Sequence, residues 1–146
     1  MTTCEAANEA AALCRHMPSS HIGIHLTLTS SENLRIKPVY QKHSLDSLVT
    51  KDGYFPRDIS QLEQHADPEQ VRLELKAQIN KALAMGIDPT HLDSHGGSVF
   101  GLAAGCDFLE VVLDLCEQYR LPFHLPRRIV EHFFLASSRV LAGPSK

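Results

Sequence analysis

Helical and extended patterns alternate along these 146 residues, and that order limits the fold more than any other feature. Residues 67–85 carry the clearest helical pattern, with an alternating segment before it at 21–28 and an extended segment, 87–95, directly after it. A second helical pattern covers 108–119, and a short extended segment, 121–126, follows it. Extended segments separated by helices at this spacing predict βαβ units and a parallel sheet.

The helix over 67–85 has defined ends and one apolar face. Asp67 suits the N-cap, proline follows it, and Gln70 is placed to complete a capping box. Gly86 is placed to end the helix. Apolar residues recur every fourth position and predict the buried stripe Val71, Leu75, Ile79 and Leu83.

The other predicted elements are less regular. A first helix covers 5–15, with Thr2 or Thr3 as its N-cap, and a last helix covers 129–141. Between the first strand and the long helix, 29–66 is irregular, and an Asp-Gly turn within it predicts a small hairpin at 50–56. Long loops of this kind inside compact domains are usually functional or mobile.

Length and composition fit one globular domain over 1–146, with 43% hydrophobic and 21% charged residues. A net charge of −3 provides no basic surface, so we expect no nucleic-acid partner. No apolar run approaches membrane-span length, and the first residues lack a signal-peptide pattern, so we expect a cytoplasmic protein with no membrane partner. The four cysteines form no CxxC pair.

Three possible metal ligands occupy alternate positions in the segment THLDSHGG. His91, Asp93 and His95 point to one side if this segment is a strand, because side chains alternate between the two faces. Imidazole and carboxylate ligands suit zinc or a similar divalent ion, and an aspartate between histidines can also orient a ring by a hydrogen bond. The spacing alone does not decide which histidine is the ligand, and a polar strand end that caps the next helix also explains the pattern.

His25 lies near the end of the other strand, on the face opposite the isoleucines. Sites in parallel α/β proteins gather at the C-terminal ends of strands, so the two strand ends can bring their histidines together. His25 alone is equally well explained as a half-buried structural histidine. The pair Gly96 and Gly97 predicts a turn, or a backbone that comes close to a ligand.

Three segments together resemble the YdjC-like carbohydrate deacetylase family: IGIHLTLTS, DPEQV…INKALAMGIDPTHLDSH and EQYRLPFHLPR. The resemblance runs to about Arg127. It implies an α/β fold, a partial and distorted (βα) barrel, that removes N-acetyl groups from amino sugars with one divalent metal ion, Mg or Zn. The family's metal histidines fall on His25 and His95, and Asp93, His91 and Arg127 take supporting roles near the site.

Two departures from the family pattern change what we expect. Many members continue DSHHHVH, whereas this sequence reads DSHGGS, so it looks more like the branch that reads about DSHMGTLF. The family also carries an adjacent Asp-Asp pair at the end of its first strand, as metal ligand and base, and no such pair occurs here. A complete barrel has roughly 250 residues, so we expect a fragment of a larger barrel with impaired activity. We also expect it to form homo-oligomers through exposed strand edges.

The expected reaction is metal-assisted hydrolysis of an amide on an acetylated amino sugar. Two alternatives stay open at this point. The chain could be a non-catalytic metal- or sugar-binding remnant, or another metal-dependent hydrolase such as a phosphoesterase, because a fold does not fix its chemistry.

Overall fold

The computed structural model describes residues 1–17 and 21–127, which form a mixed α/β structure with one small parallel sheet. The helices in this part of the chain are α1 (Ala7–Arg15), α2 (Ile59–His65), α3 (Pro68–Ala84) and α4 (Leu109–Tyr119). The strands are β1 (Gly23–Leu26) and β2 (His91–Ser94), and a 3₁₀ turn, His95–Gly97, follows β2. The predicted helix over 129–141 lies outside the described residues. Among the helices described, none has the length and hydropathy needed to cross a membrane.

The start of α3 confirms the predicted cap but not the capping box. The Asp67 carboxylate accepts hydrogen bonds from the N–H groups of Glu69 and Gln70, and Pro68 opens the helix. The Gln70 side chain does not reach back to Asp67. It accepts hydrogen bonds from the N–H and hydroxyl of Ser47, and that hydroxyl accepts the N–H of Asp67. A serine from the irregular segment therefore takes the place of the box.

The buried face of α3 follows the helical period rather than a strict four-residue repeat. Val71, Leu75 and Ile79 are fully buried as predicted, but Leu83 is 42% exposed. Each step of four residues advances about 40° beyond a full turn, so Leu83 has rotated roughly 120° away from Val71. Ala82 has rotated back into line and is fully buried in its place. The prediction that Leu83 is buried was wrong for this reason.

The two strands are parallel, and each is shorter than predicted. Their register pairs Gly23 with His91 and Leu26 with Ser94. The predicted third strand is reduced to one parallel bridge between Leu92 and Phe123. The apolar face of the sheet is buried, and α3 packs against both β1 and α4 to cover it.

The irregular segment after β1 contains a turn and a helix. The predicted hairpin at 50–56 is only a turn, in which Gly53 N–H donates to the carbonyl of Thr50 and no strand ladder forms. The helix α2 was not predicted. It is short, and Asp58 caps it by accepting the N–H of Ser60.

The first helix starts later than predicted. Ala6 occupies the N-cap of α1 without a side-chain hydrogen bond, and residues 2–6 form turns. The predicted capping role of Thr2 or Thr3 was therefore wrong. Both hydroxyls are buried without a hydrogen-bond partner in the described structure.

Candidate functional site

The register of the sheet brings His25 and Asp93 together. These residues face each other across β1 and β2, and strand alternation turns both side chains away from the buried apolar face. His25 Nδ1 lies 2.9 Å from Asp93 Oδ2, and about a third of each side chain is exposed. The carboxylate therefore holds the ring of His25 by a direct polar contact that solvent can still reach.

His95 joins this pair from the turn that follows β2. Its Nδ1 lies 3.2 Å from Nε2 of His25, and the two ring planes cross at 81° with their centroids 5.2 Å apart. Gly96 and Gly97 have φ values of +59° and +73°, so the turn after His95 uses a backbone region that other residues rarely adopt. The predicted approach of the two histidines and the predicted glycine turn both occur, and we call Asp93, His25 and His95 the histidine cluster.

The contacts within the histidine cluster fix where the ring protons lie when both rings are neutral. A carboxylate accepts, so Nδ1 of His25 carries the proton and its Nε2 has a lone pair. That lone pair then accepts from Nδ1–H of His95. Nε2 of His95 consequently has a lone pair as well. This assignment follows from hydrogen-bond complementarity and sets the orientation of both rings.

Burial lowers the pKa of His95 below its ordinary value of 6.5, and the neighbouring His25 lowers this pKa further. Both causes disfavour the charged imidazolium. The neutral imidazole is the form that binds metal ions. The environment of His95 therefore favours the form that a ligand requires.

The donor set of the histidine cluster fits two ligands of a divalent ion. Two nitrogens bound to one tetrahedral zinc, each at about 2.0–2.1 Å, lie roughly 3.3 Å apart, which is close to the separation of His25 Nε2 and His95 Nδ1. Asp93 contacts the other nitrogen of His25, as outer-shell carboxylates do. Within residues 1–17 and 21–127, no group of three or more histidine, cysteine or acidic side chains is arranged to hold a metal ion. The cluster thus offers two imidazole ligands and one orienting carboxylate.

His91 lies outside the contacts of the histidine cluster. His91 is at the start of β2, where its Nδ1 contacts the hydroxyl of Thr90 at 2.9 Å and its ring lies over Gly23. Arg127 is exposed and is the last described residue. Their supporting roles stay predictions.

Two buried polar residues of α3 were missed by the sequence reasoning. Glu74 and Gln78 are fully buried, and Gln78 binds the backbone of Thr27, two residues after His25. Gln78 lies seven residues after Val71, which is almost two helical turns, so the helical period puts it on the buried face. A polar residue on that face was the signal that could have identified it.

Curated carbohydrate deacetylases are similar to this chain. The enzyme of Thermoanaerobacter pseudethanolicus is 31% identical over 116 residues, which cover 80% of this chain and 43% of that protein. The carbohydrate deacetylase of Thermus thermophilus is 42% identical over 101 residues, covering 68% of this chain and 35% of that protein. The chain therefore spans less than half the length of these relatives.

A solved structure is also similar. The crystal structure of a proposed cellobiose-phosphate cleavage protein from Enterococcus faecalis superposes with a TM-score of 0.74 at 31% identity, over 94% of this chain and 52% of that one. The family profile described as YdjC-like protein matches residues 1–143, which is nearly the whole chain. The resemblance found in the sequence is confirmed, and the chain belongs to the YdjC-like protein family.

Proposed function

We propose that this chain provides part of the active site of a metal-dependent carbohydrate deacetylase. Its substrate would be an acetylated amino sugar, and its cofactor one divalent ion, Mg or Zn. The observation that carries this proposal is the 3.2 Å separation of His25 Nε2 and His95 Nδ1, with Asp93 behind His25. The curated relatives, described as carbohydrate deacetylases, support the reaction class.

Each member of the histidine cluster has a defined task in this proposal. His25 and His95 would hold the ion, because a nitrogen of each ring faces the other ring. Asp93 holds the Nδ1 proton of His25, which keeps that ring in the orientation and tautomer that a ligand needs. When bound, a divalent ion supplies Lewis acidity toward the acetyl carbonyl. Metal binding at Nδ1 of His95 requires its proton to reside on Nε2, so that ring changes tautomer.

Amide hydrolysis also needs a base for the water proton and an acid for the leaving amine. Asp93 is engaged with His25, and we assign it an orienting role rather than that of the base. The sequence contains no adjacent Asp-Asp pair that could add a ligand and a base. We therefore propose that the 146-residue chain by itself turns over slowly, because a positioned base typically contributes about 10²–10⁴-fold.

Metal binding is tested by zinc calorimetry on the wild type, His95→Ala and His65→Ala. His65 is the matched control, because it is an exposed histidine whose Nδ1 contacts the carbonyl of Gln61 in its own helix. We expect His95→Ala to weaken binding by more than the roughly 10–100-fold typical of losing an outer-shell partner, and His65→Ala to bind normally. Equal binding by both variants would refute the assignment of His95.

The reaction is tested with two substrates. A deacetylase releases acetate from N-acetylated chito-oligosaccharides, whereas a phosphoesterase cleaves p-nitrophenyl phosphate. Acetate release that His25→Ala abolishes is the expected result. Cleavage of the phosphate ester alone would replace the proposal with a phosphoesterase, and metal binding without either reaction would indicate a binding remnant.

We also propose that the sheet is part of a distorted (βα) barrel and that the chain forms homo-oligomers. In the described part of the chain, β1 pairs only with β2, which leaves its other edge without a strand partner. Such an edge favours pairing with another chain. Light scattering should give a mass above 16.2 kDa. A uniform monomer would refute the proposed association.

A further inference from the structure

A glutamine side chain continues the sheet at the point where β1 ends. The Thr27 N–H donates to Oε1 of Gln78 at 3.0 Å, and Nε2 of Gln78 donates to the Thr27 carbonyl at 2.7 Å. These are the two hydrogen bonds that a neighbouring strand would make with this residue. Thr27 and Gln78 are both fully buried, so water does not replace either bond.

Glu74 fixes which way the amide of Gln78 faces. Its Oε1 accepts the second Nε2 hydrogen of Gln78 at 2.7 Å, and its two oxygens accept the N–H groups of Val39 and Tyr40. A flipped amide would oppose the Thr27 N–H with an NH₂ group and the carboxylate with an oxygen. The network therefore permits one orientation of Gln78, and this orientation matches the backbone of Thr27.

The end of β1 is connected to His25 in two ways. Thr27 follows His25 by two residues, and its hydroxyl donates to the His25 carbonyl at 3.0 Å. Because β1 has only four residues and ends directly before Thr27, a shift of the Thr27 backbone also displaces the second half of the strand, which contains His25. His25 must keep Nδ1 at Asp93 and Nε2 at His95 simultaneously, so a small rotation of its backbone breaks one contact.

We propose that Gln78 is a positioning residue: it fixes the backbone at the end of β1 and thereby orients the His25 ring toward both Asp93 and His95. The proposal rests on the proposed function in taking His25 as a metal ligand. Gln78 does not touch the histidine cluster. It acts through the backbone of Thr27, and Glu74 acts through Gln78.

The test compares Gln78→Met with Gln70→Met. Gln70 is a matched control, because it lies on the same helix and also binds backbone, but it secures Ser47 rather than β1. In ¹H–¹⁵N spectra of the metal-free protein, we expect the Nδ1–H signal of His25 to be lost or shifted in Gln78→Met and retained in Gln70→Met. Zinc affinity should fall about 10-fold in Gln78→Met and stay unchanged in Gln70→Met.

An unchanged His25 signal in folded Gln78→Met would overturn the proposal. An equal loss of that signal in both variants, at equal loss of stability, would also overturn it, since any weakening of α3 would then suffice. If Gln78→Met does not fold, Gln78→Asn tests the same link, because its shorter amide cannot make both bonds to the Thr27 backbone while the position stays polar. A shifted His25 signal supports the proposal in that variant, and an unchanged one contradicts it.

The spectra separate this inference from the proposed function. They are recorded without metal or substrate, so they report directly on the orientation of the His25 ring. If the wild type binds no zinc and releases no acetate, the proposed function fails. The ring-proton signals of the two methionine variants still decide whether Gln78 positions His25.

Discussion

A buried carboxylate on α2 holds the loop that follows the histidine cluster. Glu63 is 2% exposed, and its oxygens accept the backbone N–H groups of Ala103, Ala104 and Gly105. These three N–H groups lie eight to ten residues after His95 in the sequence. Replacing Glu63 with leucine fills the buried space but removes every acceptor, so we expect it to release this loop.

The expected decrease in the free energy of unfolding is smaller than the number of hydrogen bonds suggests. A hydrogen bond to a charged group contributes about 1.5–3 kcal/mol, but the residues from Ala103 to Gly105 are exposed, so water can bind their N–H groups once the loop opens. We therefore expect Glu63→Leu to lower the free energy of unfolding by about 1.5–3 kcal/mol rather than by three times this value. Glu63→Gln should lower the free energy of unfolding by less, because an amide oxygen at the position of Oε2 can still accept hydrogen bonds from the three N–H groups.

Urea unfolding measures the free energy, and amide hydrogen exchange reports on the loop itself. Exchange at Ala103–Gly105 should accelerate in Glu63→Leu while exchange in the middle of α3 stays slow. Glu69→Gln is the control, since Glu69 is exposed and its loss should change stability by less than about 0.5 kcal/mol. Wild-type stability of Glu63→Leu, or unchanged loop exchange, would refute the anchoring role.

Three further predictions concern stability. Asp67→Ala should lower the free energy of unfolding, measured in urea, by about 1 kcal/mol, because two N–H groups of α3 lose their acceptor. Unchanged stability would contradict the capping role. Gly23→Ala should lower the free energy of unfolding by about 1–3 kcal/mol, because its new Cβ would lie 2.2 Å from Nε2 of His91. Unchanged stability would mean that the His91 ring moves freely. Burial raises the pKa of Glu74 above 4.5, so the folded state binds this proton more tightly than the unfolded state. Its contribution to stability therefore falls as pH rises from 4.5 through the raised pKa, and Glu74→Gln should flatten that part of the pH–stability curve. An unchanged slope would contradict the assignment to Glu74.

The parts of the fold that were predicted are those whose information is local. The start of α3 follows from an aspartate and a proline, and both act on groups within one helical turn. The alternation in β1 and the H-x-D-x-H pattern, which begins in β2 and ends at His95 in the following turn, likewise refer only to neighbouring residues. The meeting of the two strand ends needed one more rule, that parallel strands end at the same edge. The choice of His95 rather than His91 as the partner of His25 came from the family resemblance.

Two of the contacts that were missed join residues far apart in the sequence, whereas the missed helix α2 has only a weak local pattern. Gln70 could not be separated from a capping residue without knowing that Ser47 reaches it. The helix α2 is only seven residues long and contains few apolar positions, so its periodicity is weak. Gln78 was visible as a polar residue on a buried face, but its partner, Thr27, lies 51 positions earlier.

The close approach of His91 to Gly23 has a consequence for mutational scanning. A scan that shortens each side chain to alanine measures what is lost, and it commonly passes over glycine because nothing can be removed. At position 23 the informative change is an added atom, since the ring of His91 occupies the space where a Cβ would stand. Gly23 lies two residues before His25, so the Gly23–His91 pair is on the same face of the sheet as the His25–Asp93 pair. Substitutions that enlarge the side chains of β1 would therefore reveal steric constraints on the site that alanine scanning does not detect.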